Sequence, residues 1–385
     1  MTRVDVEADV IAWARDRSGL PAADLERRFP RLPSWISGSI APTINQLEEF
    51  AEATHTPVGF FFLTEPPAED VPLPDFRTRR DAGVTQPSPD LLDTIYMVQQ
   101  RQEWYRNHAI SLGQDPVGIV GSVTTRTPAA TAAQLIRDAL RPGGGESFSP
   151  KDPADAFRLI SEAAEEVGVL VMANGIVGSN THRRLDPNEF RGFALADAYA
   201  PIVFVNAADT KPAQNFTLIH ELAHIWLGET ALSGIDPHST GDENTSEKWC
   251  NAVAAEVLAP LNVVRSIFQR DSDIQGETQR LASLFKVSTL VILSRLHEAG
   301  LLDWATYRSA YAQEEARLQA LLANRRESPG GNFYNTHVVR TSRSFARAVL
   351  TSAAEGRTLQ REAMQLLGLK TRETFEKLAK HLGVS

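Results

Sequence analysis

The chain has 385 residues, more than one typical domain, and is expected to hold two or three. Hydrophobic residues at 42% and charged residues at 23% suffice for sizeable cores, and no run of 18 apolar residues offers a membrane span. A formal charge of −9 gives no global attraction for nucleic acid; a single cysteine and the lack of a secretory leader pattern lead us to expect a reducing, cytoplasmic setting.

Residues 1–66 read as short helices punctuated by Pro and Gly: VEADVIAWARDRSG, PAADLERRF, PSWISG and TINQLEEFAEATH. Pro21 and Thr43 suit helix starts, and Val10, Trp13, Leu25, Phe29, Trp35, Ile36, Leu47 and Phe50 are the expected core of a small bundle. Residues 67–150 read as a connector. A proline-rich, extended stretch comes first, then a long helix over LLDTIYMVQQRQEWYRNHA, then Thr, Ala, Pro and Gly around one helix at about 129–140.

The unit at 151–325 opens with an amphipathic helix, DPADAFRLISEAAEEVG, capped by Asp152. GVLVMA, EFRGFALAD and APIVFVNA then read as three strands rich in Val, Ile and Phe. The third leads into FTLIHELAHIWLG, a second helix spans about 245–259, and helices continue to about 325. Residues 326–385 form a small helical C-terminal domain whose REAMQLLGLKTRETFEKLAKHLG reads as two helices around a turn. The fold class is therefore α+β, mostly α, with a small antiparallel or mixed sheet.

HELAH carries the chemistry. Chance alone produces such a pattern in roughly one chain in 100 of this length, so its neighbours must support it. Residues four apart share one face of a helix, so His220 and His224 can address one ion while Glu221 reaches a water beside it. Catalytic Zn2+ takes three protein ligands and keeps a position open. In SEKWCNAVAAEVLAP, Glu247 supplies the third ligand, and Asn251, one turn along the same face, can hold a ligand histidine in orientation. Glu256 is the rival carboxylate; Glu247 is preferred because it leaves Asn251 a role. A glutamate between two histidines against the apolar wall of Ile219, Leu222, Ala223 and Trp226 is costly unless the polar groups are satisfied together, which a metal does.

The expected reaction is hydrolysis of a peptide bond, with Glu221 as the base that takes the proton of water and returns it to the leaving amine. His238, His182 and Tyr334 stand as alternative oxyanion donors. The strand before the metal helix can align a peptide if it lies at a sheet edge. Cys250 reads as a buried structural thiol, and His55, His108, His297, His337 and His381 receive no role.

With these residues in place, the chain resembles the ImmA/IrrE family of zinc metallo-endopeptidases. PIVFVNAADTKPAQNFTLIHELAHIWLG, EKWCNAVAAEVLAP and LASLFKVSTLVILSRLHEAGLL occur in the family's order and cover about 155–300. The resemblance implies a zincin-like core with zinc on His220, His224 and Glu247 and with Glu221 as base. It further implies an intracellular protein that cuts or disables repressor-type regulators, in stress responses, mobile-element control or toxin–antitoxin-like operons, with its partner encoded nearby.

The N-terminus resembles a phage-repressor type of helix-turn-helix domain, including DFRT at 75–78, and the C-terminal tail is similar to that of long family members. Two departures count against DNA binding there. Ile36 stands where a glutamate usually follows the tryptophan, and residues 1–65 hold six Arg and no Lys against ten acidic residues. Phosphate contacts prefer cationic donors, so a protein-docking role is expected for this domain, with Arg77, Arg79 and Arg80 as the nearest basic cluster. Two other classes fit the same residues: a DNA- or protein-binding regulator or antitoxin with a latent or inactive site, and a scaffold that grips a partner without cutting it. Glu221 favours the enzyme, because a purely structural site does not need it.

Overall fold

The computed structural model describes residues 3–69, 71–73, 87–140, 150–233, 245–270, 272–323 and 333–384. It resolves into two compact units. One comprises the chain up to Pro72 and the start of a long helix through Tyr96; the other comprises Leu73 and the chain from Met97 onward.

The first unit holds α1 (Ala8–Arg17), α2 (Ala22–Arg28), α3 (Leu32–Ile36), α4 (Ile44–Thr54) and a 3-10 turn at Val58–Phe62. Pro21 sits at the N-cap of α2, and Thr43 caps α4 in a reciprocal capping box with Gln46. Val10, Leu25, Phe29, Trp35, Leu47 and Phe50 are buried together, while Trp13 and Ile36 are partly buried against them. The aromatic centre is tight, with Phe29 edge-on to Phe50 at 5.4 Å between ring centroids. DFRT and the basic residues Arg77, Arg79 and Arg80 lie outside the described residues.

The long helix is α5 (Pro89–Ser111), followed by α6 (Ala129–Ala139), α7 (Pro153–Glu166), β1 (Leu170–Asn174), β2 (Gly192–Leu195), β3 (Ile202–Asn206), α8 (Lys211–Leu227), β4 (Ala231–Ser233) and α9 (Thr245–Leu258). Helices α10 (Leu261–Ile267), α11 (Ile274–Phe285), α12 (Thr289–Glu298) and α13 (Trp304–Ala323) form a satellite layer with its own core around Leu281, Ile292 and Leu296. The C-terminal helices are α14 (Phe333–Thr341), α15 (Arg343–Ala354), α16 (Gln360–Leu367) and α17 (Arg372–His381).

The sheet is small and mixed, in the order β1-β3-β2-β4. β1 runs parallel to β3, with Leu170 opposite Ile202, while β2 runs antiparallel to both β3 and β4. Every residue of the four strands is buried, so both faces are covered and period 2 separates two cores. Val171, Ala173, Ala194, Val203 and Val205 meet α8 and its neighbours. On the opposite side Phe193 stacks on Phe204 at 4.9 Å.

The structure revises two expectations. α6, read as part of a connector, places Ala132, Ala133 and Ile136 in the same core as α8 and α9. The strand before the metal helix, β3, is central and flanked by β1 and β2, so it cannot accept a peptide. The edge strands are β1 and β4, and β4 lies between the two ligand helices in the chain.

Candidate metal centre

Helix α8 begins at Thr210, whose hydroxyl accepts the Ala213 N–H at 3.4 Å, with Pro212 in its first turn. It ends at Gly228, which takes the left-handed conformation at φ 73. The last carbonyls do not hang free: Gly121 donates to Ile225 O and Val123 to Trp226 O, each at 3.2 Å. Leu218, Ile219, Leu222, Ala223, Ile225 and Trp226 fix the helix against the sheet and α9. Its remaining face carries His220, Glu221 and His224, which are 4%, 0% and 0% exposed.

Helix α9 packs across α8 and brings Glu247 to the histidines. His224 Nε2 lies 3.0 Å from Glu247 Oε1, His220 Nε2 lies 3.3 Å from Glu247 Oε2, and the two Nε2 atoms are 3.2 Å apart. Ligands at zinc distances of 2.0–2.2 Å in a tetrahedron are separated by about 3.3 Å, so the three donors already form one face of such a site. Both carboxylate oxygens of Glu221 are buried beside this triangle without a hydrogen-bond partner. Such an arrangement is costly on its own and is relieved by a cation with its water. The donor set fits zinc, and His220, His224 and Glu247 are the residues that would hold it.

The electrostatics agree. Burial pushes the Glu221 carboxyl up to about 8, with Glu247 adding repulsion and His220 opposing. Burial also raises Glu247, but His220 and His224 overcome it and hold that carboxyl at about 2. For His220 the opposed pulls of burial and Glu247 leave the imidazole raised, with Asn251 among the side chains that favour its charged form. His224 is lowered, because burial outweighs Glu247 there.

The sequence reading missed three neighbours. Ser233, on edge strand β4, places its hydroxyl 3.1 Å from His220 Nε2 and favours the charged form of Glu221. Gly192, opposite Ser233 on β2, has no room for a side chain: a Cβ there would fall 2.6 Å from Thr217 Cγ2 and 3.1 Å from Glu221 Oε1. Glu229, just past the helix, holds one oxygen 3.9 Å from His224 Nδ1 while Ser246 donates to the other at 3.1 Å. HELAHIWLGE contains that glutamate in plain view, but its approach depends on the left-handed turn at Gly228.

The other candidates separate from the centre. Glu256 is tied to Arg295 and accepts the Leu261 N–H, which removes it as rival ligand. Cys250 is fully buried in the core under α8, with its thiol pushed well up by burial, and behaves as an inert packing residue. His182 is exposed on a turn, Tyr334 rests against Phe333 and His381, and His238 lies outside the described residues.

A sheet-backed helix carrying HELAH and a second helix carrying the third ligand define a zincin-type metallopeptidase centre. Residues 164–297 match the family model described as Peptidase_M78, IrrE N-terminal-like domain, and all three ligands fall inside the match. The chain therefore carries an ImmA/IrrE-type peptidase domain. Residues 341–381 match a domain of unknown function, DUF8813. A comparison with curated proteins found no match.

Proposed function

We propose that this zinc endopeptidase cuts one specific protein, a repressor- or antitoxin-type regulator, inside the cell. The observation that carries the peptidase reading is the triangle of His220, His224 and Glu247 with the partnerless Glu221 carboxylate beside it. Zinc, if held by these three residues, would supply Lewis acidity to activate water and polarise the scissile carbonyl. Glu221 accepts the proton of the attacking water at a carboxylate oxygen and hands it to the departing amine. Asn251 keeps His220 in ligating orientation, and Glu229 does the same for His224.

The substrate enters as an extended segment along β4, which among the described strands pairs only with β2. A peptide added there gains main-chain hydrogen bonds and runs past Ser233 into the metal centre. The acidic N-terminal bundle serves as a protein-docking module that presents the regulator. Because Glu221 and His224 are fully buried, cleavage requires an opening movement, which supports a peptidase held latent until its partner binds.

The test is incubation of zinc-loaded protein with purified regulators encoded beside its gene, followed by mass spectrometry of the products. A single zinc-dependent cut that Glu221→Gln abolishes is the expected result. Cleavage that persists in that variant removes Glu221 from the mechanism.

A further inference from the structure

The segment matched only to a domain of unknown function has a charge pattern opposite to the rest of the chain. Residues 341–381 carry eight Lys and Arg against four Asp and Glu, whereas all other residues together carry 31 against 44. Helices α16 and α17 are joined by the short turn 368–371, in which Gly368 takes a left-handed conformation and the Thr371 hydroxyl accepts the Thr374 N–H at 3.2 Å. Ala363, Leu366, Leu367, Leu369, Phe375 and Leu378 are buried. Two short helices joined by a four-residue turn with glycine, each with buried apolar residues, follow the helix-turn-helix pattern.

On its outer side lies a cleft of about 350 Å³ with Met364 and Leu369 as its apolar lining and Gln360, Arg361, Gln365 and Arg372 as its polar lining. No carboxylate lines it among the described residues. Arg372 bonds to Glu376 at 2.8 Å and Lys377 to Glu373 at 2.6 Å, so the acidic residues of α17 are already engaged. Exposed Arg361 and Lys370 meet no carboxylate within 4 Å among the described residues. Cations without intramolecular partners, beside amides that both donate and accept, suit a polyanion that also offers base edges.

We propose that α16 and α17 form a contact site for duplex DNA, with Arg361, Lys370 and Arg372 on backbone phosphates and Gln360 and Gln365 as the adjoining polar donors. The site lies at the opposite end of the sequence from the helices that resemble a repressor, where acidic residues outnumber arginines. An acidic polypeptide is the competing ligand, and charge alone would serve it equally. The helix-turn-helix frame and the glutamine-lined cleft favour the nucleic acid.

The experiment is fluorescence anisotropy of a short labelled mixed-sequence duplex titrated with the full-length protein between about 50 and 200 mM salt. Three phosphate contacts give a log–log salt slope of about −3. The variant R361A/K370A/R372A should weaken binding at least about tenfold at low salt and flatten that slope. The control R27A/R28A/R31A in the first unit should leave affinity within about twofold, and R361K/R372K should stay within a few-fold, separating loss of charge from loss of fold. Absence of salt-dependent binding by the unaltered protein overturns the proposal. So does retained affinity in R361A/K370A/R372A with native helicity by circular dichroism, or tighter binding of poly-glutamate than of the duplex.

Discussion

Two groups of buried ionisable side chains lie in the larger unit, and they meet the cost of burial in opposite ways. Around α8, two histidines face two carboxylates, and the donor atoms of His220, His224 and Glu247 converge within 3.0–3.3 Å. Between α5 and α14, Arg101 and His337 are 4% and 2% exposed, Arg340 stands nearby, and no carboxylate accompanies them among the described residues. Arg101 instead donates to Leu366 O at 3.0 Å, contacts Met172 Sδ at 3.6 Å and lies over the Phe345 ring. His337 stacks on Phe333 and is driven down to about 4 by burial and by Arg101 and Arg340, against a small pull from the Leu367 carbonyl. The first cluster would be completed by a divalent cation. The second is stable only while its histidine stays neutral. Burial of charge is thus a signature of function only where the buried groups converge on a common point and leave an opposite charge to be supplied.

The sharpest way to break this contrast is Glu221→Gln. Loss of a general base should lower the rate of cleavage by about 10²–10⁴-fold, while metal analysis still finds one zinc per chain. Loss of the zinc along with the activity would make Glu221 structural. Removing the metal comes next. Apo protein should unfold at lower denaturant than protein with zinc at 100 times its dissociation constant, by about 2.7 kcal/mol, in equilibrium unfolding curves. Equal midpoints would mean that nothing binds the triangle.

His337 sharpens the other half. Its folded pKa lies below its unfolded value of 6.5, so the unfolded chain takes up a proton first as pH falls. Stability is complete above pH 6.5 and declines toward pH 4, by about 3 kcal/mol in total. Replacing His337 by Phe should flatten this acid limb in urea midpoints measured from pH 7 to pH 4, and an unchanged limb would acquit the residue. Gly192→Ala should cost about 1–3 kcal/mol, because its Cβ collides with Thr217 and with the Phe204 carbonyl. A thermal melt identical to the parent would show that α8 can retreat from β2. Smallest of all, Glu256→Gln should leave zinc content unchanged; reduced zinc would restore Glu256 as a ligand candidate.

What the sequence revealed followed from local geometry. His220 and His224 share a face because of the helical repeat, and the caps at Thr43 and Asp152 depend only on residues two or three places away. Glu247 was legible because an amphipathic helix with a carboxylate and an amide at adjacent turns follows the first. Its rival was excluded by Arg295, 39 positions from Glu256, a pairing no spacing rule foretells. Sheet order was hidden for the same reason. Three residues, Ala231–Ser233, make a strand too short for any alternation to show, yet they form the edge and deliver Ser233 to the site. α6 looked like connector because its small alanines carry little hydrophobic signal, although they are what lets α9 pack closely.

One residue of α7 has a consequence for how this chain can be divided. Glu165 receives the Ser342 and Ser344 hydroxyls at 2.6 and 2.9 Å and the Arg343 and Ser344 amides at 3.0 Å each, capping α15 from a helix 177 positions away. The match to the C-terminal domain begins at residue 341, so the seam in ancestry falls at a weld in the folded molecule. A chain ended at residue 325 would strand that carboxylate and bare the β1 side that α14 and α15 cover. Transplanting the tail onto another peptidase would succeed only where the recipient offers an acid at the same place.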